Sequence, residues 1–508
     1  MRLSKQIYIN AFFTIATASF AFVINKSFVV HLGMDNLGIM KLFTQLVAYL
    51  NLAELGVATA STYALYRPIE ENDDAAISRI LSTVSFFYKK VAIFVLIVGT
   101  AVVFVLPLLL GQVIVEGEVY VIWILYVVNV ALSYSYAKFV ILYTANQEYG
   151  YVRLVQGVCV LFFNILRLVA IIYYKSFVAF VIFYLLENTV IYFIFRSRFI
   201  INYKQVTNVK ERQLSIYRDM KNIFWHKIAA LAVYNTDLIL LSIFTSLSVV
   251  AIYSSHIMVV NMVAMLVGIV IPVLSPRIGK FIAKNKGNNR KIFLRWKCYN
   301  LVLFCIGLAL SITTYNSFTP FMNIWMGPEF ELSKFTVALI VMNLFFKLTR
   351  GITESFKSNY GFFDDIYVPV LECFVNLILS LLLVNIMGLN GVIIGTLVSN
   401  IIIVLILKPC LVFERCFCIS WTKYIGLISW YILLSILSLL IFSLLDSSFE
   451  YNLPSLDWLH WCLNAMRNML LATFSITVAF MFDKTFRVSI IEPSYSYGVR
   501  WFKSSTTS

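Results

Sequence analysis

Seven charged side chains stand inside long apolar stretches of this 508-residue sequence: Lys26, Lys41, Glu54, Arg167, Glu187, Asp237 and Glu372. A charge at the centre of a membrane-spanning helix costs about 2.5–3.5 kcal/mol on insertion scales, so each needs a partner, a wet cavity or a route to the interface. At about 1.5 Å per residue, Lys26, Arg167 and Asp237 each fall roughly 5–10 Å below one apolar boundary. Together with Lys41 they make three cations and one carboxylate in one layer, with Asn25 beside Lys26. Such a pocket suits an anionic group such as phosphate or pyrophosphate, which binds ionised donors strongly.

The same residues have plainer readings. The long stems of Lys26 and Lys41 allow the ammonium to snorkel to the surface from one turn down. Arg167 and the short-stemmed Asp237 reach the interface less easily and are expected to face a cavity. Asp237, Glu187 and Glu54 are candidates for ion coupling or interhelical pairing. Asn188 and Asn376 are expected as interhelical hydrogen-bond partners, a contact of about 0.6 kcal/mol in membranes.

What must position these groups follows from composition. The chain is 61% apolar and 13% charged, well outside the range of soluble domains. Within lipid every backbone polar group must be satisfied internally, which leaves helices or a closed barrel. Unbroken apolar runs such as 92–110 and 431–445 select helices. At about 20 residues per crossing, fourteen spans are expected: 7–30, 38–62, 84–110, 119–143, 153–173, 177–195, 223–244, 250–274, 298–319, 335–350, 366–387, 389–412, 423–445 and 464–483.

The formal charge of +15 would raise nucleic acid as a partner in a soluble protein. Its placement gives another answer. With the N-terminus in the cytoplasm, inward connections hold Arg67, Arg79, Lys89, Lys90 and basic runs over 196–227 and 277–297, while outward ones are acidic at Asp35, Glu116, Glu118, Glu329, Glu331 and Asp446. About 34 of the 40 Lys and Arg fall inside, the asymmetry of the positive-inside rule. No nucleic acid is expected, and both termini are placed in the cytoplasm. The first apolar segment runs on past Lys26 into a second span and reads as a retained helix, not a cleaved signal. The eight cysteines contain no CxxC pair, so neither a zinc site nor a disulfide framework is expected.

One internal offset recurs. Asn164 and Asn188 lie 24 residues apart, as do Asn376 and Asn400, and the second pair is displaced from the first by 212. That displacement also carries Asn25 onto Asp237, and the helix–turn–helix stretch 24–41 onto 236–253. A duplicated six-helix unit follows, with parallel halves because the number of spans per half is even. The expected organisation is a first lobe at 1–200, a basic linker at 201–222, a second lobe at 223–415, two additional helices at 416–483 and a polar tail at 484–508.

The Gly-rich nucleotide loop, the zinc-type His pair and the nucleophile elbow are all absent, and outward connections are short. A transporter is expected, with no cofactor and no metal. The stretch His31-Leu32-Gly33-Met34-Asp35-Asn36-Leu37-Gly38, continuing through Asn51-Leu52-Ala53-Glu54-Leu55-Gly56, resembles the first hairpin of the polysaccharide-exporting O-antigen repeat-unit (Wzx-type) flippases of the MATE-like MOP exporter superfamily. Asp237 to Leu240, Val250 to Tyr253, Ser275-Pro276-Arg277 and Gly388 to Gly391 are similar to later motifs of that family.

The resemblance spans roughly residues 1–415. It implies two six-helix lobes around a cavity that opens to each side in turn, in a bacterial inner membrane. The implied substrate is an undecaprenyl-pyrophosphate-linked oligosaccharide moved to the outer leaflet. A polysaccharide polymerase and a chain-length regulator are the candidate partners, and a monomer is the expected working unit. Two other readings stand beside it: a cation-coupled exporter of small molecules on the same fold, and a membrane polymerase or ligase of the same glycans. The first would prefer a negatively charged cavity, and the second a long outer loop that this sequence lacks.

Overall fold

The computed structural model describes residues 3–51, 57–110, 117–207, 209, 236–362, 365, 367–448 and 457–488. Every regular element among them is helical, as the backbone argument requires. Among the described residues, eleven stretches are long and apolar enough to cross a membrane. Of the other three expected spans, the second is divided between two helices flanking 52–56, the seventh lies mostly in 210–235 outside the described residues, and the fourteenth is a 23-residue helix that carries His460 and Arg467.

The chain forms two compact units, Met1–Ser255 and His256–Ser508. In the first, α1 (Leu3–Leu32), α2 (Met34–Leu50), α3 (Val57–Glu70), α4 (Asp74–Ala101), α5 (Leu106–Leu110), α6 (Gly117–Ser133), α7 (Ala137–Ala145), α8 (Tyr149–Ile172) and α9 (Phe177–Asn202) precede the short α10 (Asp237–Phe244) and the start of α11 (Leu247–Gly268). Helix α1 packs along α8, α8 along α9, α9 along α6 and α6 along α4. Trp123 on α6 locks that last contact: its indole N–H donates to the Gly99 carbonyl at 2.7 Å, and a Cβ at Gly99 would collide with Val127.

Helix α11 leads into the second unit, followed by α12 (Val270–Lys284), α13 (Asn289–Trp325), α14 (Lys334–Thr349), α15 (Gly351–Asn359), α16 (Tyr367–Met387) and α17 (Leu389–Ser399). A π-helical stretch, Asn400–Leu407, then joins α17 to α18 (Lys408–Arg415) without a break. Helices α19 (Trp421–Ser448) and α20 (Trp458–Phe480) pair with each other, and α20 lies along α13. The wide π turns leave carbonyls free for other partners, and the Leu405 carbonyl accepts from the Tyr424 hydroxyl at 2.5 Å.

Helix α16 shows why these segments belong in lipid. Phe374, Ile378, Leu382 and Ile386, spaced by four, are exposed, while Glu372, Asn376, Ser380 and Val384 are buried. The helix is apolar outside and polar inside, the reverse of a surface helix in water. An arrangement of this kind is stable only where the surrounding solvent is hydrocarbon.

Candidate functional site

Within the first unit the strongest charge lies between α8 and α9. Asn164 and Arg167 share one face of α8 at i, i+3, and Tyr184 and Glu187 share one face of α9 at the same spacing, so the four side chains meet. The Arg167 guanidinium pairs with the Glu187 carboxylate, donates to Asn164 Oδ1 at 2.5 Å and lies over the Tyr184 ring, 3.6 Å from its centroid. Arg167 is 2% exposed. Its charge is therefore matched locally, and an incoming anion meets it only in competition with Glu187.

Lys41 is held differently. Its ammonium donates to Asn25 Oδ1 at 3.0 Å. Asn25 is buried on α1 and Lys41 half-buried on α2, so a neutral amide orients the ammonium without cancelling its charge. Lys26, next to Asn25, is also half-buried. Asp237 opens α10 and accepts from the Tyr253 hydroxyl at 3.1 Å. Among the expected site residues, the structure thus brings together Asn25 with Lys41 and Arg167 with Glu187, whereas Asp237 is engaged by Tyr253. Glu54 lies outside the described residues.

One contact joins the two helix–turn–helix stretches that the 212-residue offset relates. The Ser248 hydroxyl donates to Asp35 Oδ1 at 2.6 Å, and a Cβ at Gly38 would stand 2.2 Å from the Leu247 carbonyl oxygen. The start of α2 and the start of α11 thus touch backbone to backbone.

The second unit holds a charge cluster that the sequence reading left undrawn. Lys408 Nζ is 3.0 Å from Glu354 and 3.1 Å from Glu372. Arg350 reaches Glu372 at 3.5 Å, and Lys357 binds Asp365 at 2.7 Å. Three cations balance three carboxylates, as burial of ionised groups requires. Glu372 is one of the seven charges set within apolar stretches of the sequence, and the i, i+4 pair of Arg350 and Glu354 is the legible sign in sequence that partners are near.

Next to this cluster, sharing Phe345, Phe346 and Leu405 with its surroundings, α13, α14, the π stretch and α19 line a groove of about 900 Å³. Leu308, Ile312, Met342, Phe345, Ile432 and Ile436 line its apolar body, and Tyr315, Asn316 and Asp446 line its polar portion. Asp446 is paired there with Arg467 of α20 at 2.7 Å.

A bundle of helices that are apolar outside and polar inside is an architecture that known structures share. The lipid II flippase MurJ in an inward closed conformation superposes with a TM-score of 0.69 at 13% identity, covering 93% of this chain and 99% of its own. An inward-facing multidrug resistance MATE family transporter of the MOP superfamily gives 0.58 at 14% identity, covering 80% and 96%. A eukaryotic MATE transporter gives 0.51 at 13% identity, covering 83% and 96%. The chain has the fold of these proteins. Neither a family model nor a curated protein matches its sequence.

Proposed function

We propose that this protein is a flippase of the MOP type that carries an undecaprenyl-pyrophosphate-linked oligosaccharide from the cytoplasmic to the outer leaflet of a bacterial inner membrane, with both termini cytoplasmic. The observation that carries the reading is the groove. Its volume of about 900 Å³ and its apolar walls match a substrate with a long hydrocarbon portion, for which a small soluble cation has no use. The fold shared with a lipid II flippase over 93% of the chain supports the same class. Lobes at 1–200 and 223–415 supply the alternating halves in this reading, and α19 supplies one wall of the groove.

The polar part of such a substrate cannot cross hydrocarbon without replacement of its water. Lys41, oriented by the neutral Asn25 amide, is the best-placed hydrogen-bond donor to a phosphate, with Lys26 next to Asn25 in sequence. Arg167 serves as a second donor if a pyrophosphate displaces Glu187. Asp237, Glu187 and Glu54 are the candidate coupling groups. A negative-inside potential favours outward movement of an anion by about 2.3 kcal/mol per charge per 100 mV.

Deletion in a host that makes the glycan tests the reading. The expected result is loss of surface polysaccharide with lipid-linked repeat units trapped on the cytoplasmic leaflet. Units that reach the outer leaflet and stay unpolymerised would overturn it in favour of a polymerase. Lys41→Ala and Asp237→Ala are expected to lower export at least tenfold at normal membrane abundance, and normal export by both removes them from the mechanism.

A further inference from the structure

The hairpin of α12 and α13 carries the strongest charge that the transport reading leaves unused. From Arg277 to Lys297 the sequence has eight cations and no carboxylate, and all but Lys297 are exposed. Several cations elsewhere are held by carboxylates: Arg198 by Glu148, Lys357 by Asp365 and Lys408 by Glu354 and Glu372. In the hairpin the one ion pair among the described residues is Lys297 with Asp483, at 4.0 Å.

Topology alone does not account for this. The positive-inside bias counts Lys and Arg and is nearly indifferent to Asp and Glu. Carboxylates are accordingly mixed with cations between α3 and α4, at Glu70, Glu71, Asp73 and Asp74. The hairpin excludes them. It also overhangs the membrane: α13 has 37 residues, roughly 55 Å at about 1.5 Å each, against about 30 Å of hydrocarbon. Counted from the start of its apolar run at Leu301, residues 289–300 stand beyond the core.

We propose that this hairpin binds the anionic head groups of phospholipids in the leaflet it adjoins. On α12, Arg277, Lys280 and Lys284 follow i, i+3, i+7 and form one exposed stripe. Ile278 and Ile282, between them in sequence, are buried. Arg277, Lys280 and Arg295 lie within about 10 Å of the apolar boundary, about one Debye length at 0.1 M salt. Exposed Val273 stands at the apolar boundary one turn before Arg277, where acyl chains begin and an acidic protein would offer it nothing. Guanidinium and ammonium groups at that height meet phosphodiester oxygens as charge-assisted donors.

The test uses the full chain in detergent, with thermal unfolding followed on addition of phosphatidylglycerol or phosphatidylcholine. Phosphatidylglycerol is expected to raise Tm by several degrees more than phosphatidylcholine, and 0.5 M NaCl to remove most of the difference. R277Q/K280Q/K284Q/R295Q should lose at least half of it while keeping its Tm in phosphatidylcholine. R277K/K280R/K284R/R295K and K89Q/K90Q should retain it. An equal response from the glutamine variant overturns the proposal. So does a wild type that shows no preference between the lipids and binds polyglutamate instead, which would assign the surface to an acidic protein.

Discussion

The two units solve one packing problem in two ways. In the first, Asn188 of α9 donates to Asn129 of α6 at 2.7 Å. In the second, Asn400 donates to Asn343 of α14 at 2.9 Å. Asn400 is Asn188 shifted by 212 and Asn343 is Asn129 shifted by 214, so the same pair of helices is tied by the same amide bridge. Charge, by contrast, is not repeated. The α8–α9 interface holds the Arg167–Glu187 pair, while at the corresponding α16–α17 interface Asn376 donates to the Thr396 hydroxyl at 3.1 Å and the Ser380 hydroxyl to the Val392 carbonyl at 3.4 Å. Neutral bridges fix how the helices lie, and the charged groups are what set the two units apart.

Breaking the charged interface should have the largest effect. Glu187→Ala leaves a guanidinium buried without its counter-ion, an uncompensated charge of about 3–5 kcal/mol. A thermal unfolding series in detergent should show it as the most destabilised single variant, with Arg167→Met in the same background recovering much of the loss. If Glu187→Ala unfolds like the wild type, the pair contributes nothing to the first unit and the contrast fails.

The α16–α17 interface depends on close approach. A Cβ at Gly391 would stand 2.2 Å from the Leu383 carbonyl oxygen, and one at Gly395 would stand 2.3 Å from Ser380 Oγ. Gly391→Ala is therefore expected to cost about 1–3 kcal/mol through overpacking, whereas alanine at Gly426, which meets no neighbouring atom within 4 Å, should leave Tm unchanged. Equal behaviour of the two would remove backbone contact as the reason for the glycine.

Smallest and most telling is the repeated bridge. Asn188→Ala and Asn400→Ala should each cost about 0.6 kcal/mol, and the double variant should equal their sum within about 0.3–0.5 kcal/mol, since distant sites add. A difference between the singles much above 1 kcal/mol would show that the duplicated contact carries different strain in each unit.

Much of this was legible in the sequence because lipid is an unforgiving solvent. The apolar runs, the inside-out character of α16 and the Asn offsets follow from residue type and spacing alone. Which way a helix is rotated does not. Arg167 and Glu187 were both recognisable as buried charges, but their pairing depends on the rotation of α8 against α9 across a four-residue turn. Lys408 reads in sequence as an ordinary interfacial lysine one turn from the end of its span, and only the packing of α15 and α16 encloses it. The groove left no trace, because Leu, Ile and Phe facing a void between helices are the residues that would face lipid.

The π-helical stretch ahead of Lys408 gives that enclosure a particular mechanical character. A π turn holds about one more residue than an α turn, so its relaxation to α geometry would rotate everything beyond it by about 100°. Ile401 and Leu405 of this stretch face the groove, and Lys408 is the first residue after it. A change of winding over Asn400–Leu407 would therefore swing the ammonium out from between Glu354 and Glu372 while the helix axis stayed in place.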